Sequence, residues 1–266
     1  MSFPNTRLTL IQRLAQGAQD ADWHEFMDDY WGPVCRFAQW KGKLSHEDAE
    51  DIASQVFEAF LKNRLLERWT EVRSARLRTL MCAVVRNVIS NRARVNVARE
   101  KVLLEHGGML DRYLDFAEVE ASETPVDQVD EFYAAWVDDL LHSLLDELLI
   151  EYNGSGKGDY FRVLYGRLCE QLTLPEIAAA LRIKLATAEN YLRHMRQTLS
   201  NRLQSMVRMH VLRYSPPDCV DDEFSQEWSQ LGEFLQRRGG VEEIVRRLYS
   251  TNDFATRAFQ RAKYSQ

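Results

Sequence analysis

The sequence predicts an all-α protein, and three observations carry that reading. Apolar residues recur at helical spacing along most of the 266 residues. Proline and glycine are few, at six and twelve, so the chain carries little of the punctuation that short strands need. The stretch Leu174 to Leu203, LPEIAAALRIKLATAENYLRHMRQTLSNRL, reads as a helix-turn-helix running directly into a long second helix. The expected architecture is two helical domains, residues 1–104 and 128–210, joined by an acidic linker at 105–127. The second domain carries the helix-turn-helix, and a helical C-terminal tail covers 211–266.

Each element has a local reason. Leu10, Leu14, Phe26, Tyr30, Val34 and Phe37 place one or two amphipathic helices between Leu8 and Lys41. Ser45 precedes HEDAED, whose carboxylates suit a first helical turn, and that helix continues through Ile52, Val56, Phe57, Phe60 and Leu61. Another runs from about Ala75 to Lys101 on a stripe of Leu77, Leu80, Met81, Val84, Val85, Val88 and Ile89. From His106 to Asp127 the chain is acidic and aperiodic. As a linker it serves as a plain tether, as a mimic of nucleic acid, or as a cover for a basic face. Helices resume from Val126 to about Tyr152, and again from Tyr160 to Leu172. The loop between them, NGSGKG from Asn153 to Gly158, has the composition of a phosphate loop but neither its spacing nor a preceding strand.

Beyond Ser215-Pro216-Pro217, helical patterns cover Phe224 to Arg238 and Val241 to Tyr249, divided at Gly239-Gly240. Phe224, Trp228, Leu231 and Leu235 give the first an apolar face, and Val241, Ile244, Val245 and Leu248 the second. Such faces must be covered, by the helix-turn-helix domain, a second copy or a regulator.

The net charge of −6 averages opposed segments. Lys62 to Lys101 holds eleven basic residues against Glu67, Glu71 and Glu100, a local balance of +8. The following segment inverts it with Glu118, Glu120, Glu123, Asp127, Asp130, Glu131, Asp138 and Asp139. A local basic face, rather than net charge, is what attracts phosphate. No run of apolar residues reaches membrane-spanning length, so no membrane insertion is expected, and the N-terminus carries no secretory pattern. Cys35, Cys82, Cys169 and Cys219 lack metal-ligand spacing and are expected to be reduced thiols of a cytoplasmic protein. No nucleophile–base pair or metal cluster stands out, so no enzyme activity, metal or cofactor is expected.

In the helix-turn-helix, Leu174, Ile177, Ala178 and Leu181 face inward on the first helix, with Pro175 in its first turn. Arg182-Ile183-Lys184 is the turn, with Ile183 plugging the core. Ala188, Leu192, Met195 and Leu199 are the inward residues of the second helix. Its outward side offers Thr187, Glu189, Asn190, Arg193, His194, Arg196 and Gln197 to base edges and phosphates.

This segment resembles the promoter-recognition domain of the sigma-70 family of RNA polymerase sigma factors. The resemblance rests on Glu176-Ile177-Ala178, Leu181, Ile183, Thr187, Leu192, Arg196 and Leu199. Upstream, DAEDIASQVFEAFL from Asp48 to Leu61 is similar to the family's polymerase-docking helix. LRTLMCAVVRNVISNRAR from Leu77 to Arg94 is similar to the element that melts and reads the −10 box. With no third module between, the extracytoplasmic-function subgroup is the nearest, and the resemblance covers about residues 20–100 and 130–207 but excludes the tail.

The resemblance implies a bacterial, cytoplasmic sigma factor that binds core RNA polymerase and promoter DNA. Glu47, Asp48, Glu50, Asp51 and Gln55 would dock on the basic clamp helices of the β′ subunit. Arg76, Arg78, Arg86, Asn87, Asn91, Arg92 and Arg94 would meet the −10 region, with Arg73 and Arg99 adding basic charge. Asn87 and Asn91 lie four apart on one helix face, where each can donate to and accept from an extruded base. Trp69 is placed either to stack a base or to pack. Thr187, Glu189, Asn190, Arg193 and Arg196 would read the −35 region.

Two departures matter. The family's Gln-Glu or Gln-Asp in the docking helix is here Ser54-Gln55, which removes a carboxylate and makes Ser54 a candidate phosphorylation site. Glu189 stands where the family often has lysine. An anti-sigma factor or a Ser/Thr kinase is the kind of regulator that would act on such a protein. Two other readings stay open. One is a helix-turn-helix repressor or activator that does not bind polymerase; the other is a regulatory interaction protein that retains the fold.

Overall fold

The computed structural model describes residues 9–17, 19–72, 76–105 and 126–250, leaving aside the side chains of 72, 94–105, 126–127 and 249–250. The acidic linker therefore lies outside the described residues, except at its ends. Among the described residues the fold is all-α. Its helices are α1 (Leu10–Ala15), α2 (Asp20–Gly42), α3 (His46–Lys62), α4 (Leu65–Val72), α5 (Leu77–Glu105), α6 (Val126–Gly154), α7 (Gly158–Leu168), α8 (Leu174–Leu181), α9 (Leu185–Tyr214), α10 (Val220–Arg237) and α11 (Gly240–Ser250). The chain divides into two compact units, Met1–Trp136 and Val137–Gln266, and the division falls inside α6.

In the first unit α2, α3 and α5 pack pairwise, and α1 lies against α2 and α4. Phe26 is the hub: fully buried, with the rings of Trp23, Tyr30, Phe57 and Phe60 at centroid distances of 5.3–5.9 Å. Tilted and edge-to-face pairs of this kind are each worth about 0.5–1.5 kcal/mol beyond the area they bury. Ser45 starts α3 as expected, its hydroxyl accepting from Asp48 N at 3.1 Å. Helix α4, LLERWTEV, is an element the sequence reading passed over.

The first unit also takes in the start of α6. Phe132 is buried with its ring 5.4 Å from Phe37, and Tyr133 and Trp136 stack at 5.7 Å. The division thus falls later than residue 128, where the sequence reading placed the start of the second domain, because these aromatic residues join the first core.

In the second unit α7 packs on α9 and α8, and α8 on α9. Helix α8 begins in a capping box: Thr173 N donates to Glu176 Oε2 at 2.7 Å, and Glu176 N donates to Thr173 Oγ1 at 3.4 Å. It ends where Arg182 turns left-handed at φ 56°, with Ile183 N donating to Ala178 O at 3.0 Å. Ile183, expected as a core plug, is only half-buried. The crossing of α7 and α8 is close because residue 166 is glycine. A Cβ there would lie 3.2 Å from Ile177 Cγ1.

Helix α9 is longer than the helix-turn-helix pattern required. Its buried stripe of Ala188, Leu192, Met195, Leu199 and Leu203 continues through Val207, Val211 and Tyr214. Helix α10 packs on α9, and α11 packs on α10 and α7. Leu231, Phe234, Ile244, Val245 and Leu248 are buried there, so the tail's apolar faces are covered by the helix-turn-helix domain itself. Asn153 to Gly158 forms the short connection of α6 to α7, closed by Lys157 N donating to Tyr152 O at 2.8 Å.

The glycine at 166 yields a test. Gly166→Leu should lower the stability of the chain by about 1–3 kcal/mol through overpacking against Ile177, read as a lower denaturant midpoint. Gly166→Ala should cost less, because alanine regains about 1 kcal/mol of helix propensity.

Candidate functional site

Two charged faces gather the residues singled out in the sequence, one in each unit. The first is on α3. Ala49, Ile52, Ala53, Val56, Phe57 and Phe60 turn into the core, and that fixes the opposite face. Glu47, Asp51, Ser54, Gln55 and Glu58 are exposed there, at spacings that align them along the helix. Glu58 pairs with Lys62 at 2.5 Å, and Glu50 lies 3.3 Å from His46. Glu47 and Asp51 carry no ion pair among the described residues. The Ser54 hydroxyl, midway along the face, donates to Glu50 O at 3.0 Å.

Asp48 is turned to a different task. It accepts from the Ser45 hydroxyl at 2.7 Å and forms an ion pair with Arg92 of α5, whose second nitrogen donates to Asp48 O at 3.1 Å. A residue read as docking and one read as DNA-binding are thus paired with each other, tying the start of α3 to α5. The Ser45 hydrogen bond is the largest cause holding the Asp48 carboxyl below its ordinary range; loss of hydration opposes it, and the charge and hydrogen bond of Arg92 add to the lowering.

On α5, Arg86, Asn87 and Asn91 are half-buried, with Asn87 and Asn91 one turn apart, and Arg76 is exposed just before the helix. Arg94 lies on α5 among the side chains outside the description, as does Arg99, and Arg73 is outside the described residues. Arg78 corrects the sequence reading. It is 6% exposed, with its guanidinium 4.6 Å from the centroid of Tyr133 and 4.7 Å from that of Trp136. The guanidinium packs over both rings, which stack on each other, and so joins α5 to the start of α6. Trp69, on α4, is half-buried.

The second face is the start of α9. Glu189, Asn190 and Arg193 are exposed, Thr187 is half-buried, and Arg182 and Lys184 are exposed in the turn before them. Arg193 donates to Asn190 Oδ1 at 3.2 Å. Arg196, one turn further on, is paired with Glu242 of α11. His194 contacts Tyr152 of α6, Nε2 to Oη at 2.7 Å, and Tyr160 stacks on Tyr191 at 3.7 Å. These contacts help seat the helix, while His194 stays exposed on its outer side, where the sequence placed it. The partners of Arg78, Arg92 and Arg196, and Tyr152 beside His194, all lie more than forty residues away in the chain, so no local pattern announces them.

Two outcomes are expected. Arg78→Ala should lower stability by about 2 kcal/mol, the scale of a desolvated cation–π contact, in a denaturant melt. An unchanged midpoint would place the guanidinium in solvent. The Asp48 contact is present above the ordinary carboxylate range and lost as pH falls through the depressed folded value. In a carboxyl NMR titration, Ser45→Ala and Arg92→Gln should each move Asp48 upward.

Compared with known proteins, the chain matches no family model, no curated protein and no solved structure.

Proposed function

We propose that this chain is a sigma factor of the extracytoplasmic-function kind. It directs core RNA polymerase to particular promoters and starts transcription there, in the cytoplasm of a bacterium, without covalent chemistry of its own. The observation that carries the reading is the combination, in one chain and in this order, of an acidic helix face on α3 and a helix-turn-helix with an open leading face on α9. No helix among the described residues is long and apolar enough to cross a membrane.

In this account Glu47, Asp51 and Gln55 meet basic clamp helices, with Glu50 beside them. Asp48 contributes by fixing α3 against α5. Asn87 and Asn91 read an unpaired base, and Arg76 and Arg86 hold its backbone. Asn190 and Arg193 reach base edges and phosphates in the −35 major groove, and Arg182 and Lys184 approach the backbone at the turn. Ser54 lies within the docking face, where a phosphate would replace the missing carboxylate charge. Arg78 has no part in DNA contact.

The decisive measurement is run-off transcription by core polymerase reconstituted with the protein on a library of bacterial promoters. A promoter-specific transcript is expected. Asp51→Lys should weaken core binding by at least about tenfold, since like charge in a complementary interface costs several kcal/mol, while leaving DNA binding intact. No specific transcript at saturating protein, phosphorylated or not, would overturn the proposal.

A further inference from the structure

The tail touches the face proposed for DNA. Glu242, in the first turn of α11, is paired with Arg196 of α9. Arg193 and Arg196 together line a hollow of about 410 Å³ with Leu174, Glu189, Leu192 and Gln197. The side chains of Arg196 and Glu242 are 50% and 54% exposed, so the pair is open to a competing anion. Helix α11 itself is anchored. Ile244, Val245 and Leu248 are buried, and Arg247 lies 3.4 Å from the Asp138 carboxylate, which is 5% exposed. The anchor keeps Glu242 beside Arg196 at a high effective concentration. The same pattern recurs down the helix, where Arg202 pairs with Glu151 at 2.8 Å and Arg208 with Asp221 at 3.0 Å. Arg193, by contrast, bonds only to the neutral Asn190 in the contacts described for it.

We infer that α11 is a built-in competitor for the DNA backbone, with Glu242 occupying the guanidinium of Arg196 that a phosphate would otherwise take. The inference rests on the reading of α9 as the DNA-facing helix. Both anions seek the same charge-assisted contact, so DNA engages Arg196 only by displacing Glu242. The carboxylates of α6, α10 and α11 therefore confine the free footprint of α9 to its first turns, around Asn190 and Arg193. Anything that lifts α11 from α7 extends that footprint by one phosphate contact.

The test uses the full chain and a fluorescent mixed-sequence DNA duplex, with anisotropy read over a salt series. Glu242→Gln should bind about two- to fivefold more tightly than the parent, the scale of releasing an exposed ion pair. Its log–log salt slope should steepen by about 0.9, one phosphate's worth. In an Arg196→Ala background, Glu242→Gln should give no gain. Unchanged or weaker binding by Glu242→Gln overturns the competitor role. So does an equal gain in the Arg196→Ala background, which would mark a bulk charge effect. Binding of the duplex by neither the parent nor Glu242→Gln overturns the DNA-facing reading of α9 itself, and the inference with it.

Discussion

The second unit depends on one constraint, an unbroken apolar stripe on α9. Ala188, Leu192, Met195, Leu199, Leu203, Val207 and Val211 follow one another at intervals of three and four residues. Thirty residues of helix make a rod of about 45 Å. Its first part holds α8 and α7 in the helix-turn-helix crossing, and its later part receives α10. A proline or a polar residue in the stripe would therefore disturb both functions at once. The rod also sorts the polar residues. With the stripe turned inward, Asn190 and Arg193 are exposed and bonded to each other, whereas Arg202 and Arg208 fall beside Glu151 and Asp221.

The first unit obeys a similar logic with aromatic residues. Phe26 organises its neighbours, and Tyr133 and Trp136 make burial of a guanidinium tolerable. Polar contacts fix the geometry: Asp48 with Ser45 and Arg92 sets where α3 begins relative to α5. The face available to a partner is what remains after those contacts are made. On α3 that is Glu47, Asp51, Ser54 and Gln55.

Legibility in the sequence followed the range of the interaction. The helix-turn-helix was readable nearly to the residue because its signals are local: Pro175 stands in the first turn of α8, and Arg182-Ile183-Lys184 makes the turn; the Thr173–Glu176 capping box, equally local, went unread. The start of α3 was equally local. The continuation of α9 through Val207 and Val211 keeps the same spacing in the sequence, although the resemblance to the helix-turn-helix motif ends near Leu203. Helix α4 was too short to declare itself against its flanks. The candidate faces were legible as sets of charged residues and not as individual roles. Whether an arginine reaches solvent, as Arg193 does, or packs over aromatic rings, as Arg78 does, depends on residues distant in the chain. The tail showed that it needed cover without showing that α9 and α7 supply it.

That cover bears on how the protein can be divided. The helix-turn-helix ends long before the hydrophobic structure around it does. A fragment cut at about residue 210 would strip α10 from α9 and α11 from α7, losing roughly 1.5–3 kcal/mol for each large apolar side chain no longer buried, and would offer a greasy strip for self-association. A piece that keeps the packing on α9 and α7 runs instead to the end of α11 at Ser250. In this chain the motif and its folding unit are different lengths of polypeptide, and the tail is the difference.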